Sequence, residues 1–191
     1  MQVSSKYIGI VIGILVLVVL SSGCDEILKT NLDDPNNHTF SDYGVSFNYP
    51  ENWSVSDDDE INIWIEARPD PVNNSTSAPR SFVTVNNTTA YYTPELIIDI
   101  SPNNGMSDQE SIKEAKKSMP NDANRISNST LIISGTKAYK SVFVFSDQSR
   151  EEYIYFLKNG KICVITIKVA NKEYDKEKKN FDIILNSFEV Q

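Results

Sequence analysis

The sequence predicts an α+β domain in which helices cover a mostly antiparallel central sheet. Three observations lead to this fold class. Several segments alternate apolar and polar residues with the period of a strand. An Asn159-Gly160 pair between two such segments is typical of a tight hairpin. Two further segments repeat apolar residues at helical spacing. We therefore expect about eight strands and two helices in one domain.

The first 23 residues resemble an export signal. Lys6 supplies the positive charge, and the 14 residues from Tyr7 to Leu20 are apolar and uncharged. This run is too short for a comfortable membrane span and ends in Leu20-Ser-Ser-Gly-Cys24, which resembles a lipobox although its aliphatic residue falls one position early. Two interpretations remain open: a lipid attached to Cys24 after cleavage, or an uncleaved helical anchor. Both place the domain at the extracytoplasmic face of the cell membrane.

Charge and composition exclude several classes of protein. The net charge of −8 argues against a nucleic-acid partner, and it predicts that the domain stands off anionic lipids. Residues 24–39 form a polar linker that contains His38, the single histidine of the chain. One histidine excludes metal sites that need two or more, and we expect a structural or solvated role for it.

A second indication of location comes from asparagine. Seven residues occupy Asn-x-Ser/Thr acceptor sequences: Asn37, Asn52, Asn73, Asn74, Asn86, Asn87 and Asn128. With the export signal they favour a cell-surface glycoprotein. A lipobox combined with N-glycan acceptors indicates a prokaryotic surface, and we interpret the source as archaeal.

The first half of the domain reads as strands separated by turns. Residues 43–49 and 61–67 alternate apolar and polar side chains. Proline and asparagine residues make 68–80 an exposed loop. A strand is expected over 81–85, and the nearly continuous apolar run 96–100 indicates a strand covered on both faces.

The second half of the domain contains both predicted helices. The first spans 108–119, begins at a capping box formed by Ser107 and Glu110, and is followed by Pro120. Strands are expected over 131–134, 139–146, 151–158 and 162–170. The second helix spans about 172–187 and carries its apolar stripe on Tyr174, Phe181, Ile184, Leu185 and Phe188.

Four short motifs resemble PsbP-like domains. They are Phe40-Ser-Asp-Tyr-Gly-Val-Ser-Phe-Asn-Tyr-Pro-Glu-Asn-Trp53, Gly135-Thr-Lys-Ala-Tyr139, the hairpin around Asn159-Gly160-Lys161, and the terminal helix ending in Ser187-Phe188. The resemblance spans residues 40–191, and it implies an α/β/α sandwich with a central, mostly antiparallel sheet. It carries over no catalytic residues.

Two clusters are candidate binding features. Asp57, Asp58, Asp59 and Glu60 form the densest acidic run and can in principle gather a cation such as calcium. Consecutive residues of an extended chain point to opposite sides, so a solvated turn is the stronger interpretation. Trp64, Tyr91 and Tyr92 form a possible binding surface, with Trp64 on the polar side of its strand and the two tyrosines in a loop before Pro94. Packing beneath a helix is the preferred interpretation for Trp64, whereas packing and binding are equally open for the two tyrosines.

The sequence indicates no catalytic set and no cofactor. Cys163 lies in an apolar strand, where a thiol is usually a small buried hydrophobe. Glycine-rich phosphate loops and the Gly-x-Ser-x-Gly elbow are missing from the sequence. We therefore expect a non-catalytic, membrane-tethered module that docks on another envelope protein or complex. The alternatives are a small-ligand or cation receptor and, third, a surface hydrolase.

Overall fold

A computed structural model describes residues 36–58, 63–70, 81–85, 88–121 and 124–191, and for 81–85 and 88–92 it describes only the backbone. Within these residues the strands are β1 (His38–Asp42), β2 (Val45–Tyr49), β3 (Trp53–Asp58), β4 (Ile63–Pro69), β5 (Ser81–Val85), β6 (Thr88–Tyr92), β7 (Glu95–Pro102), β8 (Arg125–Ile133), β9 (Thr136–Val144), β10 (Ser149–Lys158), β11 (Lys161–Ala170) and β12 (Glu189–Val190). The α-helices are α1 (Asp108–Ala115) and α2 (Tyr174–Ser187), and short 3₁₀ turns cover Lys116–Ser118 and Asn171–Glu173.

Seven strands form the main sheet in the order β3-β4-β7-β11-β10-β9-β8, and every neighbouring pair is antiparallel. A second sheet, β1-β2-β12, joins the two ends of the domain, because the last strand pairs with β2. Strands β5 and β6 form a separate hairpin that approaches β11. The structure confirms the predicted α+β fold with a large antiparallel sheet.

The predicted hairpin is present between β10 and β11. Lys158 pairs with Lys161, and the two residues between them have positive φ angles, 52° at Asn159 and 72° at Gly160. Two consecutive left-handed residues turn the chain with the same twist as the flanking strands. The local sequence therefore sets the register of the two central strands.

The main sheet buries apolar side chains on both faces. On the face towards α2, the core contains Ile98, Ile154 and Ile165, each 0% exposed, and it extends to Phe181 of α2 and Phe47 of β2. On the opposite face, α1 lies over a smaller cluster that includes Tyr155 and Val164. We call these sides the α2 face and the α1 face. Helices on both sides explain why 96–100 is apolar at every position except Asp99.

Long-range pairing moved several predicted boundaries. Strand β8 is nine residues long, although only 131–134 was expected, because β9 pairs with it as far as Arg125. Strand β1 was not predicted and is held by β2. The first helix ends at Ala115 and continues as a 3₁₀ turn. Tyr91 and Tyr92 belong to strand β6, where they pair with β5, so the prediction of a loop was wrong.

Neither helix of the described chain has the length and apolar composition needed to cross a bilayer.

Candidate binding groove

A groove of about 260 Å³ lies on the α2 face, between helix α2 and the sheet margin formed by β8 and β9. Its walls are partly apolar, with Leu131 and Ile133 from the sheet and Phe181 and Leu185 from the helix. Its polar lining consists of Ser129, Lys140, Glu152, Tyr174, Lys178, Asp182 and Asn186. The groove therefore combines an apolar surface with charges of both signs.

Glu152 belongs to this lining and is the one buried carboxylate among the described residues. Its side chain is 1% exposed, because it occupies the same side of β10 as the core residue Ile154. Lys140 Nζ lies 2.5 Å from Oε2, and Arg150 donates to Oε1 from Nε at 2.9 Å and from Nη2 at 2.5 Å. Both carboxylate oxygens are therefore engaged by cations.

The pKa of Glu152 is set by two opposing effects. Burial alone favours the protonated acid, but the hydrogen bonds and charges of Lys140 and Arg150 outweigh it and lower the pKa below the ordinary value of 4.5. The carboxylate is therefore ionised at neutral pH. The buried Glu152 carboxylate keeps its charge because Lys140 and Arg150 are held close to it.

Tyr174 connects this charge cluster to the helix. The Arg150 guanidinium lies over the Tyr174 ring, 3.7 Å from its centroid, which allows a cation–π interaction. Burial, followed by the nearby Glu152 charge, raises the pKa of Tyr174. On the same helix, Lys178 Nζ is 2.5 Å from Asp182 Oδ2, and both residues line the groove. The sheet and the helix are thus joined by polar contacts as well as by the core.

This arrangement is suited to binding. The charged side chains of the groove are paired with one another, so the groove carries no isolated charge. A group bound there would contact these hydrogen-bonding side chains on one side and an apolar wall on the other. Over the described part of the chain, no three His, Cys, Asp or Glu side chains are grouped so as to hold a metal ion.

Comparison with known proteins identifies the family. The model of the family described as PsbP-like protein matches residues 8–190. The chain belongs to the PsbP-like protein family.

Solved structures share this PsbP-like fold at low sequence identity. The solution structure of cyanobacterial PsbP (CyanoP) from Synechocystis sp. PCC 6803 is 17% identical, covers 82% of this chain and 93% of that chain, and has a TM-score of 0.51. A crystal structure from Bacteroides thetaiotaomicron VPI-5482 is 16% identical, covers 82% of this chain and 49% of its own, and has the same TM-score of 0.51. The crystal structure of LpqN, which is described as involved in cell envelope biogenesis of Mycobacterium tuberculosis, is 10% identical over 81% of this chain and 90% of that chain, with a TM-score of 0.48. No curated protein matches the chain.

Trp64, one of the aromatic residues singled out from the sequence, does not line the groove of this PsbP-like protein. Trp64 is half-buried on the α1 face, where it lies across from Asp99 on β7 and Asp58 on β3. The side chains of Tyr91 and Tyr92 lie outside the described residues. The possible binding surface formed by Trp64, Tyr91 and Tyr92 therefore stays a prediction.

The described part of the acidic run does not converge on one point. Asp57 accepts a hydrogen bond of 2.6 Å from the Tyr43 hydroxyl. Asp58 follows on the other side of β3, as expected for consecutive residues of a strand. Asp59 and Glu60 lie outside the described residues, so a cation site that includes them stays a prediction.

The remaining acceptor and thiol residues occupy different environments. The Nδ2 atom of Asn37, which would carry a glycan, is buried, whereas Asn52 is exposed in the turn before β3. Asn128 lies exposed on β8 and accepts a hydrogen bond from Ser141 Oγ. Cys24, Asn73, Asn74, Asn86 and Asn87 lie outside the described residues, and glycosylation and lipid attachment stay predictions.

Cys163 and His38 occupy structural positions in the PsbP-like fold. Cys163 is 0% exposed in the core, and burial raises its thiol pKa to about 12, which agrees with the interpretation of a core residue. His38 begins β1 and packs against Tyr49, with 5.4 Å between the ring centroids.

Sequence reasoning missed the groove, although a signal for it was present. Lys140 and Glu152 lie on the core-facing sides of their strands, between apolar neighbours such as Ala138 and Ile154. Two charges of opposite sign at buried positions of adjacent strands indicate a paired ion cluster. Recognising it requires knowing that β9 and β10 are neighbours.

Proposed function

We propose that this PsbP-like protein is a membrane-tethered extracytoplasmic lipoprotein that docks on another envelope protein or complex. The observation that carries the proposal is the groove beside α2. Protein interfaces combine an apolar centre with paired polar groups, and Leu185 beside the Lys178–Asp182 pair provides this combination on an accessible surface.

The size of the groove favours a protein partner over a small ligand. Sites for small molecules usually enclose about 300–1,000 Å³, and the groove of about 260 Å³ falls just below that range. A side chain or short segment of a partner protein can bind in a groove that encloses less volume than a small-molecule pocket does. In this proposal the leader and the polar linker tether the protein to the membrane, and the folded domain supplies the docking surface.

Site-specific photo-cross-linking in intact membranes tests the docking step. A photoreactive residue at Asn186, which is exposed and lines the groove, should form one discrete adduct with a partner protein. The same residue at Lys176, which is 74% exposed on α2 but does not line the groove, is the matched control. Lys178→Glu should reduce the adduct at position 186, because it reverses a charge of the groove rim. Equal labelling from positions 176 and 186, or none from position 186, would contradict the proposal.

The tether is tested separately by Cys24→Ser. Lipid attachment predicts that the wild-type chain loses residues 1–23, gains the mass of a lipid and partitions with detergent, whereas Cys24→Ser keeps its leader. Cys163→Ser is the matched control, since that thiol is buried in the core. Identical masses and partitioning for the wild type and Cys24→Ser would favour the uncleaved anchor instead.

A further inference from the structure

Positive charge is concentrated in one stretch of this acidic chain. Residues 111–146 contain six lysine or arginine residues and two acids, Glu114 and Asp122, whereas the whole chain has a net charge of −8. The stretch includes the second half of α1, the 3₁₀ turn after it, and strands β8 and β9. Lys140 of this stretch points to the α2 face, where it pairs with Glu152. Around α1, β8 and β9, positive charge therefore exceeds negative charge.

Two of these lysines lie over a pair of stacked tyrosines on the α1 face. Tyr139 of β9 and Tyr155 of β10 are directly paired, with 5.5 Å between the ring centroids and 17° between the ring planes. Lys116 Nζ lies 5.7 Å from the centroid of Tyr155, and Lys137 Nζ lies 5.5 Å from that of Tyr139. Among the described carboxylates, none forms an ion pair with either ammonium group. Both charges are therefore available to an anionic partner.

An exposed isoleucine extends this surface to the margin of the sheet. Ile132 of β8 is 69% exposed and pairs with Lys137 of β9, so the two side chains share one face. Leu131 and Ile133, on either side of Ile132, pack into the core of the α2 face, which places Ile132 on the α1 face. The β-bulge of β8 lies at the other end of the strand and leaves this pair in register. We call the resulting surface the basic face: Lys116, Lys137, Tyr139, Tyr155 and Ile132.

This combination of side chains is suited to an anionic membrane surface. Each lysine close to such a surface contributes a factor of about five to the binding constant. Exposed aliphatic side chains bury themselves at the boundary between head groups and acyl chains, and tyrosine is enriched at the same depth. The basic face presents lysine, tyrosine and isoleucine side by side.

The negative net charge of the chain does not prevent this contact. In physiological salt, interactions between exposed charges are screened over about 8 Å. The acidic residues Asp57 and Asp58 lie on β3, six strand spacings from β8, which corresponds to about 29 Å. The charge close to the membrane therefore decides the contact, although the net charge alone predicts that the domain stands off anionic lipids.

We propose that the basic face docks on the anionic surface of the membrane to which the chain is tethered. The inference rests on the tether of the proposed function, and it adds the orientation of the domain. Cys24 and His38 are 14 residues apart, and a chain of that length reaches at most about 50 Å, which is long enough for the basic face to meet the bilayer. The groove lies on the opposite face of the main sheet, so it stays accessible to a partner protein.

Fluorescence of the full chain on vesicles tests this orientation. Thr130 is exposed and pairs with Tyr139, so Thr130→Cys in a Cys24→Ser chain allows a polarity-sensitive dye to be attached on the basic face. The same substitution removes the acceptor sequence of Asn128. On vesicles that contain phosphatidylglycerol, the dye emission should shift to shorter wavelength and be quenched by nitroxide-labelled lipid. On vesicles of phosphatidylcholine alone, the dye should stay in water.

Two further measurements separate docking from the tether. Flotation with phosphatidylcholine vesicles depends on the leader and not on the basic face, so it reports the tether by itself. A dye on Ser54→Cys, exposed on the opposite edge strand β3, should stay in water on both kinds of vesicle. A chain that floats but shows no quenching at position 130 on anionic vesicles would retain its tether and overturn the docking.

Charge variants determine whether the basic face is responsible. Lys116→Gln and Lys137→Gln should each lower the ratio of docked to undocked dye about fivefold on anionic vesicles, and about 25-fold together. Lys176→Gln, at a position of α2 that is 74% exposed, is the matched control and should leave the ratio unchanged. In 1 M salt, where screening acts over about 3 Å, the chain with both lysines should lose its docking as well.

Three results would overturn the proposal. The first is an equal dye environment on anionic and neutral vesicles, which would exclude a contact driven by charge. The second is an effect of Lys176→Gln as large as that of Lys116→Gln, which would assign the attraction to total charge. The third is a dye at position 130 that is shielded in native membranes but not on anionic vesicles, which would indicate an acidic protein on this face instead of lipid.

Discussion

The Cβ atom that an alanine would place at position 44 lies 2.6 Å from Nζ of Lys161. Lys161 closes the β10–β11 hairpin and donates to the carbonyl oxygens of Tyr43 at 3.2 Å and Gly44 at 3.4 Å. The contact joins the turn of the small sheet to the main sheet. Gly44 also has a φ of +70°, which disfavours any other residue.

Gly44→Ala should therefore destabilise the domain through strain and through displacement of Lys161. We expect a loss of about 2–3 kcal/mol in the free energy of unfolding, from about 1–2 kcal/mol for the left-handed backbone and about 1 kcal/mol for the lost hydrogen bonds. Urea denaturation of the wild type and of Gly44→Ala measures this loss in the free energy of unfolding.

Gly105→Ala is the matched control for this prediction. Gly105 has a φ of +76°, but an added Cβ would meet nothing within 4 Å, so only the strain applies. In a Lys161→Met background the cost of Gly44→Ala should fall towards that of Gly105→Ala. Equal costs for the two glycine substitutions in the wild-type chain would show that Lys161 adds nothing.

Removing the buried carboxylate of Glu152 should cost more than removing one of its partners. Glu152→Gln leaves Lys140 and Arg150 facing each other without an anion, and we expect a loss of about 3–5 kcal/mol. Lys140→Met leaves the Arg150 pair intact and should cost less. Urea denaturation of both variants at pH 7 measures the two losses in unfolding free energy. A larger loss for Lys140→Met than for Glu152→Gln would contradict the prediction.

The penalty of Glu152→Gln should depend on pH. The folded-state pKa of Glu152 is lowered, so its ionised form stabilises the fold above the ordinary pKa of 4.5, and this contribution is lost as the pH falls through the folded-state value. The difference in unfolding free energy between the wild type and Glu152→Gln should shrink on acidification. A difference that stays constant between pH 7 and pH 3 would disprove the assignment.

Asp99→Asn should show the opposite pH dependence. Burial on the α1 face raises the pKa of Asp99 above 3.8, only partly offset by the charge of Lys168. The folded state therefore favours the protonated acid, and ionisation costs stability as the pH rises through the folded-state pKa. Asp99→Asn should raise the melting temperature at pH 7, with the gain vanishing in acid. Asp175→Asn, at an exposed position of α2, is the control, and an equal gain there would point to net charge instead.

Cys163 should report global unfolding. Its thiol is buried and has a pKa raised to about 12, so a thiol reagent at pH 8 should not modify it in the folded protein. Labelling of the Cys24→Ser chain should follow the unfolding transition in urea. Ser54→Cys adds an exposed thiol that should react at once, and rapid native-state labelling of Cys163 itself would contradict its burial.

Local sequence was sufficient where an element depends on its own residues. The hairpin at Asn159-Gly160 follows from two residues that accept positive φ, and α1 begins at Ser107 because the capping box with Glu110 forms as predicted. The apolar stripe of the second helix likewise predicted its packing through Phe181. These signals, with the PsbP-like motifs, were enough for the fold class and the family.

Tertiary structure decided everything that depends on which segments are neighbours. Strand β1 exists because β2 pairs with it, and β8 extends to Arg125 because β9 supports it. Neither the sequence of β1 nor that of residues 125–130 predicts a strand by itself. The ion pair of Lys140 with Glu152 requires β9 and β10 to lie side by side. Strand propensity is weak and context-dependent, whereas turns and caps are set by nearby atoms. The sequence by itself therefore determined the fold class and the core pattern, and it predicts a tether, whereas the order of the strands created the groove.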